Sequence, residues 1–360
     1  MRSKKLLKLL GAIALAAVIA IAFVPGCAKE APAPAPAEKV YKLTYQSFYV
    51  PTLVYDWTDA EFLRLSEKLS GGRIQWEEHL VGDICGASEI IDAVREGALD
   101  VGFSPGAYYT GRIPAAMFSW SMGMHFENLS EMIQFHYQLQ PRCWEDIYRD
   151  ALDEFGVHLL LAGFAFSFGE MMSTVPIDSL DDFNGLKLRS FGACAGVAKQ
   201  LGASIITTSP SEIYTALSLG TIDATMWSCN SSLYDFKLME IAKHYTEPPW
   251  FFHSEQDFLV NPDVWDELPA DLQEILVSAA RRAYNEGRAS IDFRDLETRQ
   301  SMIEDYGVTF HRLSDEDMQT IREMAKKNLE DFVIEANDPY VNEAMALLKD
   351  YMVLIGRWKA

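Results

Sequence analysis

The chain has 360 residues, in which 31 Lys and Arg are set against 52 Asp and Glu, and its formal net charge is −21. The length allows two or three domains or lobes, and the 49% hydrophobic content excludes a disordered chain. An acidic balance argues against binding to nucleic acid, because phosphate recognition needs a basic surface. We therefore expect no nucleic-acid partner.

The N-terminal residues predict export. Four basic residues within the first eight positions precede an uncharged run over 9–24, and Pro25, Gly26 and Cys27 follow. As a helix the run is about 24 Å long, shorter than the ~30 Å hydrocarbon core of a bilayer. It therefore predicts a signal peptide over 1–26, and hence a periplasmic or extracytoplasmic protein. Val24-Pro25-Gly26-Cys27 resembles a bacterial lipobox, which implies a lipid anchor on Cys27, although a plain secretory signal is the alternative.

Residues 27–40 form a Pro- and Ala-rich segment. Such a composition favours an extended, semi-rigid chain. We interpret this segment as a spacer that holds a globular body away from a membrane.

The globular part contains an internal repeat. The segment from Glu89 to Asp100 and the segment from Glu212 to Asp223 carry Glu, Ile, Ala, Gly and Asp at matching positions. Each copy predicts a short amphipathic helix that ends at a glycine and is followed by a strand. The repeat indicates two α/β lobes of similar construction.

The elements around the second copy alternate between strand and helix, which predicts a mainly parallel sheet flanked by helices. The predicted elements there are strands at 186–190, 204–208 and 222–227 and a helix at 192–200. Ligands of open α/β sheets bind at the carboxyl ends of strands, which is where Arg189, Phe191 and Trp227 lie. Long amphipathic helices are predicted near the C-terminus, at 271–292, 315–335 and 341–355.

No catalytic or metal-hydrolase motif stands out. Gly102 to Gly106 matches G-x-S-x-G, but Pro105 follows the serine and has no N–H for an oxyanion. The cysteines after Cys27 form no C-x-x-C pair, and a disulfide between Cys194 and Cys229 is possible beside the alternative of buried thiols. We therefore expect a binding protein and not an enzyme.

Several motifs together resemble the extracytoplasmic solute-binding protein of tripartite ATP-independent periplasmic (TRAP) transporters. They are Gly185-Leu-Lys-Leu-Arg189, the helix that ends in Leu201-Gly-Ala203, the second repeat copy and, earlier in the chain, Ser70-Gly-Gly-Arg73. The resemblance implies a receptor that delivers a small organic acid to membrane permease subunits. It also implies that Arg189 pairs with the substrate carboxylate, for which a guanidinium offers two parallel N–H donors.

The resemblance further implies a two-lobed periplasmic-binding-protein fold of type II-like architecture. We expect lobe I at 41–162, completed by about 253–310. Lobe II is expected at 163–252, completed by C-terminal helices at about 311–360.

The stretch from Thr221 to Trp227 is similar to the branch of that family that binds 2-oxo and related carboxylates, in which a metal ion bridges substrate and protein. The usual ligands implied are a Gln before a Met, a Glu before the Trp, and the carbonyl of that Trp. Here Glu170 and Met226 occupy the Gln and Glu positions. The resemblance therefore implies a possible Na⁺ or Ca²⁺ site at Glu170, Met226 and Trp227, or a ligand with a donor group facing Glu170.

Aromatic residues in the segments expected to face the cleft predict an apolar wall, suited to a carboxylate with a hydrocarbon or aromatic tail. They are Tyr108, Tyr109, Phe166, Phe191, Trp227, Trp250 and Phe251. Tyr108 is the strongest candidate among them, and the Gln256 amide is expected to face a ligand oxygen.

Three alternative functions remain open at this point. One is an organic-acid sensor that feeds a signalling partner. Another is a secreted hydrolase or lyase with Glu170 as base, which would consume its ligand. The third is a structural surface protein, which would bind no small molecule tightly.

Overall fold

Two mixed β-sheets form the framework of the protein. The computed structural model describes residues 39–50, 52–121, 124–164, 167, 170–208, 210–251 and 254–359. The strands are β1 (Tyr41–Ser47), β2 (Ile74–His79), β3 (Val101–Ser104), β4 (His158–Phe164), β5 (Glu170–Ser173), β6 (Lys187–Arg189), β7 (Ser204–Ile206), β8 (Ala224–Trp227), β9 (His244–Glu247), β10 (Glu255–Val260) and β11 (Thr309–Arg312).

Helices cover both sheets. They are α1 (Leu53–Trp57), α2 (Asp59–Leu69), α3 (Ile90–Arg95), α4 (Ala116–Ser121), α5 (Leu129–Tyr137), α6 (Trp144–Phe155), α7 (Gly192–Gln200), α8 (Ile213–Ser218), α9 (Asn230–Asp235), α10 (Pro262–Glu267), α11 (Ala270–Glu304), α12 (Asp315–Ala336) and α13 (Pro339–Leu354). In the described part of the chain, no helix combines the length and apolar character that a membrane span requires. The predicted signal peptide, Cys27 and most of the spacer lie outside the described residues.

The two sheets share one topology. The first has the strand order β2-β1-β3-β10-β4, and the second has the order β7-β6-β8-β5-β9-β11 when read in the same sense. Each sheet contains one strand, β10 or β5, that runs antiparallel to both of its neighbours. The order confirms the two similar α/β lobes expected from the sequence repeat.

The glycine and the aspartate that the two repeat copies share have the same structural role in both lobes. Asp100 accepts the backbone N–H of Thr44 at 2.7 Å, and Asp223 accepts that of Lys187 at 3.0 Å. In each case the carboxylate joins the strand after the repeat helix to the neighbouring parallel strand. Gly97 and Gly220 end the two helices with φ of 76° and 66°, where a side chain would be strained.

The position of helix α13 differs from the predicted division into lobes. The other predicted boundaries stay a prediction. Helix α12 packs on α7 of the second lobe as expected, but α13 packs on α6 beside the first sheet. Its apolar face, which includes Val341, Leu348 and Met352, joins the cluster that holds Trp144 and Tyr148 of α6. Burial of that face places α13 with lobe I.

The long helix α11 also departs from the prediction. It continues to Glu304, beyond the expected end at Asp292, and it packs against α2 and β4 of the first lobe and α9 of the second. It thereby connects the two lobes. Cys194 and Cys229, for which a disulfide was one of two possibilities, are both buried free thiols.

Candidate functional site

A cavity of about 660 Å³ lies where the parallel strands of both sheets end. The first lobe contributes residues that follow β1, β2 and β3, and the second contributes residues at or after the ends of β6, β7 and β8. Strand ends are the usual ligand position in α/β sheets because adjacent connections diverge there. The sequence-predicted residues Tyr108, Arg189, Phe191 and Trp227 all line this cavity.

Arg189 is a buried cation in the wall of the cavity. It ends β6 and is only 3% exposed. Its Nη1 donates to the Met226 carbonyl at 3.1 Å, and its Nη2 and Nε donate to the Thr208 carbonyl at 3.2 and 3.4 Å. Of the five N–H groups on a guanidinium, one on each Nη is left for a ligand.

The charge of Arg189 is held between aromatic faces. Its guanidinium carbon lies 4.8 Å from the ring centre of Trp227 and 5.1 Å from that of Phe191. Burial lowers the pKa of Arg189 to about 10, so the group remains charged at neutral pH. Within the described residues, no carboxylate forms an ion pair with it. A buried cation balanced only by carbonyls and rings is suited to an incoming anion.

Aromatic side chains from both lobes meet across the cavity. The rings of Tyr108 and Phe191 stack with centres 6.4 Å apart and planes 12° apart. Phe48 lies edge-on to Tyr108, and Phe236 lies edge-on to Trp227. The arrangement confines the cavity with apolar surface on two opposite sides.

Glu170 lies beside the cavity without lining it. It begins β5 opposite Trp227 of β8, and it is 7% exposed. Ser167 donates to one carboxylate oxygen at 2.8 Å and the Tyr245 hydroxyl donates to the other. Burial, with a smaller contribution from Asp295, raises the pKa of Glu170 to about 8. Both carboxylate oxygens of Glu170 therefore accept hydrogen bonds from hydroxyl groups of the protein.

Of the three residues implied as cation ligands, Met226 does not offer its side chain to a cation. The Met226 side chain is fully buried in the core, where Ser190 contacts its sulfur at 3.5 Å, and its carbonyl serves Arg189. Thioethers are poor ligands for Na⁺ or Ca²⁺, which prefer several oxygens. Within the described part of the chain, no group of three or more His, Cys, Asp or Glu side chains is placed to hold a metal. We therefore derive no step through a metal ion.

Other predicted cavity residues belong to the core. Gln256 is 1% exposed in the middle of the first sheet and does not line the cavity. Tyr109 bonds to Tyr148 at 3.0 Å and to Asp257, and Trp250 packs on Phe183. Large aromatic residues near strand ends also fill the layer between sheet and helix, and Tyr109 and Trp250 lie there and not in the cavity wall. Phe251 is likewise fully buried outside the cavity lining, and Phe166 lies outside the described residues.

Some cavity residues of the first lobe were not predicted from the sequence. Phe48 and Tyr49 follow β1, just as Ser190 and Phe191 follow β6. β1 and β6 occupy equivalent positions in the two sheets, but their spacing from the two repeat copies differs, so superposing the copies by sequence would not have paired them. Thr207, Thr208 and Phe236 gave no signal in the sequence.

The fold and the site together define a class of protein. The cavity lies between two similar lobes, and its described wall contains one buried cation. These are the features of a solute-binding protein that takes up an anionic ligand between its lobes.

Comparison with known proteins agrees with this class. The model of bacterial extracellular solute-binding protein family 7, the DctP family, matches residues 52–336, and the chain belongs to that family. A monocarboxylate 2-oxoacid-binding periplasmic protein from Nostoc sp. is 28% identical over 220 residues, which span 60% of this chain and 58% of that protein. A C4-dicarboxylate-binding periplasmic protein from Rhodobacter capsulatus is 26% identical, over 72% of this chain and 76% of the relative.

Solved structures show the same fold. A TRAP periplasmic solute-binding protein from Pseudoalteromonas atlantica, with bound sodium and pyruvate, superposes with a TM-score of 0.78. The match covers 89% of this chain and 96% of that one, at 24% identity. The resemblance to TRAP solute-binding proteins is confirmed, as is the two-lobed α/β fold with long C-terminal helices.

Proposed function

We propose that this protein is the receptor of a TRAP transporter that binds a small organic acid, a 2-oxo acid or a related carboxylate, through Arg189 and delivers it to membrane permease subunits. The observation that carries the proposal is the buried guanidinium of Arg189, which reaches the cavity with two unused N–H groups and without a carboxylate partner in the described residues.

The pairing of Arg189 with a ligand carboxylate follows from its surroundings. A bidentate guanidinium–carboxylate pair is stronger and more directional than a neutral hydrogen bond. Arg189 is buried beside aromatic rings, so the charges of the pair are screened less than in bulk water. Ser228 and Ser232 line the same cavity, and the Ser228 hydroxyl donates to that of Ser232 at 3.0 Å, which leaves the Ser232 hydroxyl as a donor for an oxo or hydroxyl group next to the carboxylate.

Closure of the two lobes around the ligand is the expected motion. The stacked pair of Tyr108 and Phe191 joins the lobes across the cavity, and α11 connects them on another side. A receptor of this kind returns its ligand unchanged. Recovery of intact acid after incubation and unfolding would agree with the proposal, whereas a converted product would favour a hydrolase or lyase.

The test is a thermal-shift panel of 2-oxo, 2-hydroxy, aromatic and dicarboxylic acids on the wild type and on Arg189→Lys. A ligand at 100 times its Kd adds about 2.7 kcal/mol to the free energy of unfolding. Lysine keeps the charge but cannot bind a carboxylate bidentately. We expect at least tenfold weaker binding in Arg189→Lys and none of this loss in the control Arg64→Lys, which changes an arginine on the exposed face of α2. Equal affinity in wild type and Arg189→Lys would contradict the proposal.

A bridging Na⁺ or Ca²⁺ is a further prediction from the resemblance. The Pseudoalteromonas protein carries sodium together with pyruvate. The panel is therefore repeated with each cation and with chelator in sodium-free buffer. A shift that disappears without cations would assign a metal to this receptor, and an unchanged shift would assign recognition to the protein's own donors.

The anchor on Cys27 completes the proposal for location. A lipid-modified Cys27 would hold the receptor at the membrane by the 27–40 spacer, near its permease. Cell fractionation of the wild type and Cys27→Ser tests this part. We expect the wild type with membranes and the variant in the soluble extracytoplasmic fraction; identical fractions would point to a plain secretory signal.

Uptake measurements separate transport from sensing. Retained transport of the acid in cells that lack the permease subunits would favour the sensor alternative over transport.

A further inference from the structure

The cavity holds one positive charge. Among its described lining residues, Arg189 is the only Lys or Arg, and Glu212, exposed at the start of α8, is the only acidic residue. A second carboxylate on a ligand would therefore enter an apolar space without a cation. Burial of an unpaired charge is strongly unfavourable. The lining thus selects for one carboxylate and against two.

The rest of the lining is predominantly apolar. Six aromatic rings surround the cavity, from both lobes, together with three valines: Phe48, Tyr49, Tyr108, Phe191, Trp227 and Phe236, with Val50, Val54 and Val81. Phe191 and Trp227 flank the guanidinium, so the aromatic surface begins directly beside the position of the carboxylate. A ligand body in contact with these walls gains free energy in proportion to its own apolar surface.

The size of the cavity exceeds that of a three-carbon acid. A water molecule takes a share of about 30 Å³ in the liquid, so an acid of six heavy atoms occupies at most roughly 180 Å³ by the same measure. The cavity has about 660 Å³. Tyr108 and Phe191 already stack across the lobes, which limits how much further the walls can approach at that point. A small acid would leave much of the apolar surface without a partner.

We propose that the physiological ligand is an aromatic monocarboxylate, with its carboxylate on Arg189 and its ring between the aromatic walls of the two lobes. This inference rests on the proposed carboxylate-receptor function and narrows its substrate class. Aromatic rings pair favourably in offset or edge-on geometry, and the existing pairs of Phe48 with Tyr108 and of Phe236 with Trp227 show that the walls present both faces and edges.

The experiment is a calorimetric titration of the wild type with phenylacetate, phenylpyruvate, pyruvate and succinate. We expect both aromatic acids to bind at least tenfold more tightly than pyruvate or succinate. Two variants locate the ring. Phe236→Leu removes an aromatic wall, and Val81→Phe fills the cavity from a loop position; each is expected to weaken phenylacetate at least fivefold while pyruvate changes less than twofold. Phe293→Leu, which changes an exposed phenylalanine on α11 that does not line this cavity, is the matched control.

The outcomes separate the two proposals. Pyruvate or succinate bound as tightly as the aromatic acids, or equal effects of Phe236→Leu on phenylacetate and pyruvate, would overturn the aromatic class and leave the carboxylate receptor in place. Absence of binding for all four acids, or affinities unaffected by Arg189→Gln, would overturn the receptor proposal and the aromatic class together.

Discussion

The first and second lobes place different residues at one equivalent position. Gln46 of β1 pairs in register with Gly102 of β3, and Arg189 of β6 pairs in register with Thr225 of β8. The Gln46 amide donates to the Cys85 carbonyl at 2.9 Å and accepts the backbone N–H groups of Ile84 and Cys85. Arg189 instead donates to the carbonyls of Thr208 and Met226, and one N–H on each Nη has no acceptor among the described residues.

This difference shows how one topology serves two purposes. In both lobes the side chain at this position holds the loop that follows the adjacent edge strand, β2 or β7. The neutral amide of Gln46 is satisfied entirely by that loop. The guanidinium of Arg189 holds its loop and still has capacity and charge for a ligand. On the proposed function, the second lobe would therefore bind the acid group and the first lobe would provide apolar cover.

Exchange of the residue type at this position gives the largest expected effect. Arg189→Gln places the first-lobe residue in the second lobe, where its amide can still hold the Thr208 loop but cannot pair with an anion. We expect at least a hundredfold loss of carboxylate affinity, about 3 kcal/mol, since loss of one partner of a buried charge pair costs about 2–5 kcal/mol. Titration calorimetry measures the affinity, and urea unfolding checks that stability changes by less than about 1 kcal/mol. Retained affinity would mean that the lobes do not differ in the way described.

Asp59, one of the buried acids of the first lobe, should affect stability without affecting binding. Asp59 at the start of α2 accepts the hydroxyl of Tyr45 and that of Thr58, and burial raises its pKa to about 7. The unfolded-state pKa is about 3.9, so between pH 4 and pH 7 the unfolded chain loses a proton that the folded protein keeps. The stabilising contribution of Asp59 to the free energy of unfolding is therefore fully present below pH 4, and it is lost as the pH rises to 7.

Urea unfolding at pH 5 and pH 7 measures this contribution. We expect the free energy of unfolding to be about 2 kcal/mol lower at pH 7 than at pH 5 on account of Asp59, with the other buried acids adding to the same trend. Asp59→Asn cannot titrate and should reduce this difference by that amount. The same pH dependence in the variant would show that the group is ionised in the folded state. Ligand affinity at pH 7 should be the same in both proteins.

Truncation of Gln46 should give the smallest of these effects. It should lower stability and leave carboxylate affinity nearly unchanged, which is the reverse of the result expected for Arg189→Gln. Gln46→Ala leaves the N–H groups of Ile84 and Cys85 without their acceptor, which should lower the free energy of unfolding by about 1–2 kcal/mol. Carboxylate affinity should change less than threefold. A larger loss of affinity than of stability would indicate that the first lobe also contacts the acid group.

The sequence predicted the parts of this protein that depend on local pattern. The repeat around Gly97 and Gly220 predicted two similar lobes because helix ends and the half-buried aspartates that follow them need fixed spacing. Arg189, Phe191 and Trp227 were found because strand ends in such sheets converge on one cleft. Gln256 and Met226 were misplaced because burial on one face of a strand or the other depends on tertiary packing. The position of α13 on the first lobe also depends on which lobe offers a matching apolar surface, and no local pattern contains that information.

The most direct measurement of the central claim compares phenylacetate with its neutral amide, phenylacetamide, on the wild type and on Arg189→Met. The two ligands share their ring and differ in charge at the group expected on Arg189. We expect the wild type to bind the acid at least a hundredfold more tightly than the amide. We expect this ratio of affinities to fall to near one in Arg189→Met. An undiminished preference for the acid in Arg189→Met would show that another group holds the carboxylate and would contradict the account.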